Sequence, residues 1–311
     1  MKKNKKITVI GAGNVGATCA QRILESSLAD VILLDVVEGL AEGKALDMNQ
    51  SAHIIGFNSY IKGSTDFNLS EGSDVIVITA GLARKPGMSR DDLAMKNATI
   101  MKDIVSKVSQ LSPNAVLIIV TNPLDVMCYV ARKYSGFSRD RIIGMAGELD
   151  GARFIHFVRE NIEDKTSKMT AMVLGTHGDA MVPLIRFSTV GDEKVESLLS
   201  SQALDDIVEK TQKGGAQIVG LLKTGSAYYA PSAAAFVMAR SIILDLDEVY
   251  CCSVFMEGEY GITNTYCGVP VRLGSGGVKE ILKIDLNDTE LELLQKSSKT
   301  IKENIDKVVS I

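Results

Sequence analysis

Residues 6–10 read as a short apolar strand that runs straight into Gly11-Ala12-Gly13-Asn14-Val15-Gly16. A helix-like stretch, 17–24, comes next. A second strand, 31–34, then ends on Asp35, 19 positions past Gly16. The glycine pattern alone is a weak signal. Set between a strand and a helix, with an acid closing the next strand, it is specific for a β-α-β unit that takes a dinucleotide. Gly11 makes the tight turn, Gly13 lets backbone N–H groups reach a pyrophosphate, and Gly16 lets the helix pack close on the strand. The helix N-terminus adds unpaired N–H groups and the positive end of its dipole. Asp35 is placed to accept from ribose hydroxyls and to repel a 2′-phosphate, which favours NAD over NADP. Strands predicted at 74–79, 115–120 and 141–146 alternate with helices at 38–50 and 91–111. Repeated strand–helix alternation of this kind predicts a doubly wound parallel sheet.

In such a sheet, ligands bind beyond the carboxyl ends of the strands, and three stretches there carry chemistry. The loop 80–90 follows a strand and holds Arg84, Lys85 and Arg90 among Pro86 and Gly87. It reads either as a solvated basic turn or as a lid that closes over an anion. Asn122, ahead of Pro123, is either a common turn starter or an amide offered to a ligand. Gly175-Thr176-His177-Gly178-Asp179 follows an apolar run, 169–174, that reads as one strand. A glycine-flanked histidine past a strand end is either a solvated turn residue or a proton donor. Asp150 and Arg153 share a face of a helix predicted at 150–160, as i, i+3 neighbours do. They form a weak intrahelical pair, or else Asp150 orients His177 while Arg153 forks onto a substrate carboxylate. His53 reads as structural or surface, and His156, between Ile155 and Phe157, as a packed helix histidine.

The remainder predicts a strand at 183–189, an amphipathic helix at 205–222 and an Ala-rich buried helix at 226–244 with Pro231 in its first turns. An antiparallel pair at 249–256 and 262–273 follows. The last helix carries Leu294, Ile301, Ile305 and Val308 on one face. The change of pattern near Gly147 divides the chain into a cofactor half, 1–146, and an α+β substrate-binding and catalytic half, 147–311. Formal net charge is -4 over 311 residues and no basic patch recurs, so nucleic acid and membrane surfaces are poor partners and small-molecule chemistry is expected. No apolar run approaches the roughly 20 residues that span a bilayer. The lysine-rich start reads as a solvated tail ahead of the first strand. Five cysteines without CxxC spacing predict reduced thiols in a cytoplasmic protein, with no disulfide framework and no metal site.

Together these motifs resemble the lactate/malate dehydrogenase family over essentially the full length. The stretches that carry the resemblance are 10–16, 84–93, 120–123, 149–154, 175–179 and Gly225-Ser226-Ala227-Tyr228-Tyr229-Ala230-Pro231. The Arg-Lys-Pro-Gly-Met lid is similar to that of the members acting on malate. The resemblance implies a Rossmann domain followed by a catalytic domain, NAD as cofactor, and reversible oxidation of (S)-malate to oxaloacetate. It implies His177 as acid–base with Asp150 as its partner, Arg153 on the C1 carboxylate, Arg90 polarising the carbonyl and Arg84 on the second carboxylate. It further implies Asn122 on substrate and nicotinamide with a cis peptide before Pro123, cofactor contacts at Asn14, Val15, Asn97 and Val120, and a homodimer or homotetramer. A lactate or other 2-hydroxy acid dehydrogenase and a non-catalytic NAD sensor are the alternatives. Glu148 and Gly151 depart from the family pattern, which has Val and Ser there. The acid is expected to alter the charge near His177, and the glycine to loosen the start of its helix.

Overall fold

The computed structural model describes residues 5–82, 87–178 and 180–309. Arg84, Lys85, Pro86 and Asp179, named above, lie outside them, as does the start of the basic tail. The first half runs β1 (Lys6–Ile10), α1 (Asn14–Glu25), β2 (Asp30–Leu34), α2 (Leu40–Ile55), β3 (Ile61–Ser64), β4 (Val75–Ile78), α3 (Arg90–Leu111), β5 (Val116–Ile119), α4 (Leu124–Ser135) and β6 (Ile142–Met145). All six strands are parallel, in the order β3-β2-β1-β4-β5-β6. The direction of winding reverses between β1 and β4, so the loops after those two strands open the crevice where a ligand can enter.

The strands are apolar almost throughout because both faces are covered. Ile7, Val9 and Leu33 pack on the face shared with Ala20, Ile23 and Met238. Ile10, Ile76 and Ile78 pack on the other, with Met101, Val105 and Met127. Strand β3 escapes the sequence pattern because its segment, Ile-Lys-Gly-Ser, contains a single large apolar residue. Gly63 is what admits it: a Cβ there would fall 2.1 Å from the carbonyl oxygen of Ala41, where α2 crosses.

The second half runs α5 (Gly147–Asn161), β7 (Met169–Thr170), β8 (Val173–Gly175), β9 (Met181–Pro183), β10 (Thr189–Val190), β11 (Glu193–Lys194), α6 (Val195–Leu198), α7 (Ser201–Leu222) and α8 (Tyr229–Leu244). It finishes with β12 (Glu248–Glu257), β13 (Thr263–Gly274), β14 (Gly277–Ile281) and α9 (Asp288–Val309). Strand β12 runs antiparallel to β6, pairing Cys252 with Met145 and Ser253 with Gly144. The parallel sheet therefore continues through β12, β13, β8 and β9 without a break. Helix α8 is Ala-rich and buried as predicted, with Pro231 in its first turn, where no helical N–H is needed. Leu294, Ile301 and Ile305 anchor α9.

Two predicted strands are corrected. The run 169–174 is two strands in two sheets: β7 joins the small sheet with β10 and β11, and β8 joins the large one. The run 183–189 stops at Pro183 and turns through a short 3-10 helix, Ile185–Phe187, before β10. Its N–H groups bond locally, Phe187 to Leu184 and Ser188 to Ile185, so no ladder forms. Among the described residues no helix is long and apolar enough to cross a membrane.

Candidate active site

At the crevice, Gly11 adopts φ +104° and a Cβ on it would meet the Ala80 nitrogen at 2.7 Å. A Cβ on Gly16 would fall 1.9 Å from the Gly11 carbonyl oxygen, so α1 could not sit this close with any other residue there. Gly13 faces open space and precedes α1, whose first turn has neither a side-chain cap nor an acid. The N–H groups of Asn14 and Val15 thus begin a helix whose end is left for an anion. Asp35 directly follows β2 and pins this loop: Ala12 N–H donates to its Oδ2 at 2.6 Å, and Val37 N–H to its Oδ1 at 3.0 Å. Lys44, unremarked in the sequence, donates to the Ala12 carbonyl at 2.7 Å.

A cavity of about 350 Å³ joins this loop to the second half, lined by Val15, Val120, Asn122, Arg153, His177 and Pro231 among others. The Asn122–Pro123 peptide is cis. Asn97 is buried with its amide fully occupied. Its oxygen accepts from Leu82 N–H at 2.8 Å, and its nitrogen donates to the carbonyls of Asn122 at 2.7 Å and Leu82 at 3.3 Å. It ties Leu82, in the loop after β4, to the Asn122 loop. Arg90 is the first residue of α3, beyond a capping box in which Ser89 and Asp92 satisfy each other's N–H groups.

The opposite wall is built from α5 and the turn after β8. Asp150 lies in the first turn of α5 with its side chain 1 % exposed. One carboxylate oxygen meets His177 Nδ1 at 2.8 Å and the other accepts from Arg153 Nη1 at 3.1 Å. The intrahelical Asp150–Arg153 pair is present, and the same carboxylate also meets His177, so Asp150 bridges arginine and histidine. A carboxylate can only accept from Nδ1–H, so Nε2 is the nitrogen left for another partner. Burial works against protonating His177. The charge and hydrogen bond of Asp150, with Asp125 behind, outweigh burial and Arg153 and raise its pKa. Among the described residues no cluster of His, Cys, Asp or Glu converges as a metal site.

His53 is exposed on α2. His156 is not packed as expected. It is exposed on α5, 3.5 Å from Glu160, because the buried face of that helix is carried by Phe154 and Val158. Glu148 is half-buried toward β12. Its carboxyl is raised by burial and then by Glu248 of β12, and it bears on Tyr250, Cys251 and Cys252, whereas the charges bearing on His177 are Asp150, Arg153 and Asp125. Gly151 does not interrupt α5; a Cβ there would touch the Ala171 carbonyl oxygen at 3.4 Å. A second residue the sequence did not single out is Asp125, an acid in the first turn of α4, a position too ordinary to stand out.

Residues 5–144 match the family model described as lactate/malate dehydrogenase, NAD binding domain, and residues 147–311 match lactate/malate dehydrogenase, alpha/beta C-terminal domain. The chain is 48% identical over 307 residues to a malate dehydrogenase of Chlorobium limicola, covering 98% of this chain and 99% of that protein. It is 51% identical over 300 residues to a malate dehydrogenase of Chlorobium luteolum, covering 96% and 97%. Among solved structures, it is similar to the apo malate dehydrogenase of Picrophilus torridus, with TM-score 0.95, 43% identity and coverage of 99% and 98%. It is also similar to a lactate dehydrogenase of Cryptosporidium parvum complexed with lactic acid and nicotinamide adenine dinucleotide, with TM-score 0.96, 37% identity and full coverage of both chains, 100% and 100%.

Proposed function

We propose, from the premise that this chain belongs to the lactate/malate dehydrogenase family, that it reversibly oxidises (S)-malate to oxaloacetate with NAD. The observation that carries the mechanism is Asp150 bridging His177 and Arg153 on the wall of a cavity that also reaches the glycine loop. Bound NAD supplies the hydride acceptor in oxidation and, reduced, the donor in the reverse direction. The residues fit it: Gly11, Gly13 and Gly16 leave room at an uncapped helix end, and Asp35 stands where a ribose is expected. Asn14, Val15, Val120 and Asn122 complete the surface offered to the cofactor, and Asn97 acts on it through the loops it ties.

In the reductive direction, His177 Nε2 donates a proton to the oxygen that gains charge, while Asp150 stabilises the imidazolium. Arg153 holds the C1 carboxylate, and Arg90 faces the carbonyl oxygen, where its effect is greatest in the transition state. Arg84, on the lid, takes the second carboxylate. Residues 1–146 then carry the cofactor site and the two arginines of the 80–90 loop, and 147–311 carry Asp150, Arg153 and His177, across one continuous sheet. The assay is NADH oxidation by the wild-type protein with oxaloacetate and with pyruvate. A strong preference for oxaloacetate supports the proposal. A preference for pyruvate would transfer it to lactate, and turnover of neither would leave an NAD-binding protein without the chemistry.

Cofactor choice provides a second test. Hydrogen bonds to a charged group are worth about 1.5–3 kcal/mol, so Asp35→Ala is expected to weaken NADH binding about 10- to 100-fold and NADPH binding much less. Fluorescence titration with both nucleotides checks this, and an equal loss for both would remove Asp35 from the ribose. A homodimer or homotetramer is supported by large apolar side chains exposed on α2 (Leu46, Ile54) and around the α7–α8 junction (Leu221, Leu222, Tyr229). A reducing cytoplasm suits five buried thiols.

A further inference from the structure

Asp125 is 4 % exposed, in the first turn of α4, and bonds to the turn that carries His177. It is bonded from two other elements. Ser253 of β12 donates to its Oδ1 at 2.6 Å, and Thr176 Oγ1 and the backbone N–H of His177 donate to its Oδ2 at 2.8 and 3.2 Å. The Thr176 N–H is held separately by Ser297 of α9 at 2.8 Å. The two peptide N–H groups that set the position of His177 are thus fixed from α4 and α9. Its ring is fixed from α5.

We infer that Asp125 is a positioning residue for His177, a buried carboxylate that holds the Thr176–His177 backbone in place and keeps a second negative charge behind the imidazolium. The inference rests on His177 being the acid–base of the proposed reaction. The groups facing Asp125 are Ser253, Thr176 and His177, with the thiols of Cys128 on its own helix and Cys267 on β13. Those facing His177 are Asp150, Arg153 and Asp125. The thiols are themselves pushed up by burial and carry no charge that competes. Burial raises the Asp125 carboxyl above its ordinary value, and the donors from Ser253, Thr176 and His177 offset part of that rise. Three donors on one carboxylate are the arrangement that favours its charged form.

Asp125→Asn separates charge from geometry. The amide oxygen still accepts from Thr176 and His177, and its NH2 can donate to the Ser253 hydroxyl, which accepts as readily as it donates. Removing the charge lowers the His177 pKa. The pH midpoint at which kcat/KM for oxaloacetate reduction falls is therefore expected to move down by about half a unit to one unit. Asp125→Ala also frees the turn, and a misplacement on the order of 1 Å lowers kcat about 100-fold with KM nearly unchanged. A folded Asp125→Asn enzyme with the wild-type midpoint overturns the inference, whatever its melting temperature. If the Asp125 variants do not fold, Thr176→Val decides the matter, because it keeps the charge and removes one hold on the turn. A kcat about tenfold lower at an unmoved midpoint supports the inference, and a wild-type kcat overturns it. His177→Asn is measured alongside. Full activity in that variant would overturn the acid–base reading and this inference with it, whereas loss there beside a wild-type Asp125→Asn profile overturns this inference alone.

Discussion

Replacing His177 by asparagine is expected to lower kcat in both directions by about 10³- to 10⁴-fold, the upper range for a positioned general acid–base. NADH affinity should stay within about twofold, because His177 sits on the wall opposite the glycine loop, where the uncapped N–H groups of α1 are the proposed hold on the cofactor's phosphates. Asparagine can hydrogen-bond to Asp150 but cannot carry a proton to and from the substrate oxygen. The same dyad fixes the pH dependence. Burial opposes protonation of His177, but the Asp150 charge and hydrogen bond raise the pKa above the ordinary histidine value. Reduction needs the imidazolium, so kcat/KM for oxaloacetate is expected to be level at low pH and to fall as pH rises through that raised pKa. Malate oxidation needs the neutral ring and should rise through the same pKa. Asp150→Asn removes the charge and moves both limbs to lower pH. Steady-state profiles in each direction, with nucleotide binding measured separately, check all of this. Retention of more than about a tenth of wild-type kcat in His177→Asn would assign the proton to another group.

The dyad was legible in the sequence because both members stand out from their immediate neighbours. His177 is one of three histidines and is bracketed by glycines at a strand end, and Asp150 falls one helical turn before Arg153. Asp125 was not legible, because its partners Thr176 and Ser253 are 51 and 128 positions away. Hydroxyls on a β-strand and in a turn carry no spacing signal. The same limit applies to elements. β1, β4 and β5 declare themselves as apolar runs buried on both faces, but β3 is recognised only through the partner that Gly63 lets approach. The run 169–174 is continuous in apolar character, yet its two ends pair with different sheets, which is decided by β10 and β13 rather than by the run itself. Glu148 shows how proximity in sequence misleads: two positions from Asp150 on a helix is the opposite side, and its burial is against β12.

On the proposed mechanism, substrate choice turns on a charge count that the variant Arg84→Gln alters by one. Arg84 lies outside the described residues, and its role rests on the lid motif and the family. In the proposed site, with His177 protonated, four cationic side chains (Arg84, Arg90, Arg153 and His177) are set against the carboxylates of Asp150 and Asp125, and a bound dicarboxylate would bring the two negative charges that complete the balance. Pyruvate brings only one, which leaves a guanidinium unpaired in a closed site. Leaving one partner of a buried pair alone costs about 3–5 kcal/mol. Part of that cost is recovered by water that an open lid admits, so closure, rather than encounter, is where discrimination arises. Glutamine removes the surplus charge for pyruvate and at the same time strands the second carboxylate of oxaloacetate, so the two substrates move in opposite directions. The ratio of kcat/KM for oxaloacetate over pyruvate is therefore expected to fall by about 10³-fold or more in Arg84→Gln. NADH binding should be unchanged, because the guanidinium is assigned to the substrate and not to the cofactor. Because Asp150 already occupies one side of Arg153, that residue cannot substitute for the lid by taking both carboxylates. Initial rates with each keto acid, on wild type and variant at one pH, give the ratio directly. A ratio that stays within about tenfold of the wild type would place the determinant of specificity on another residue, leaving the hydride and proton chemistry of His177 and Asp150 intact.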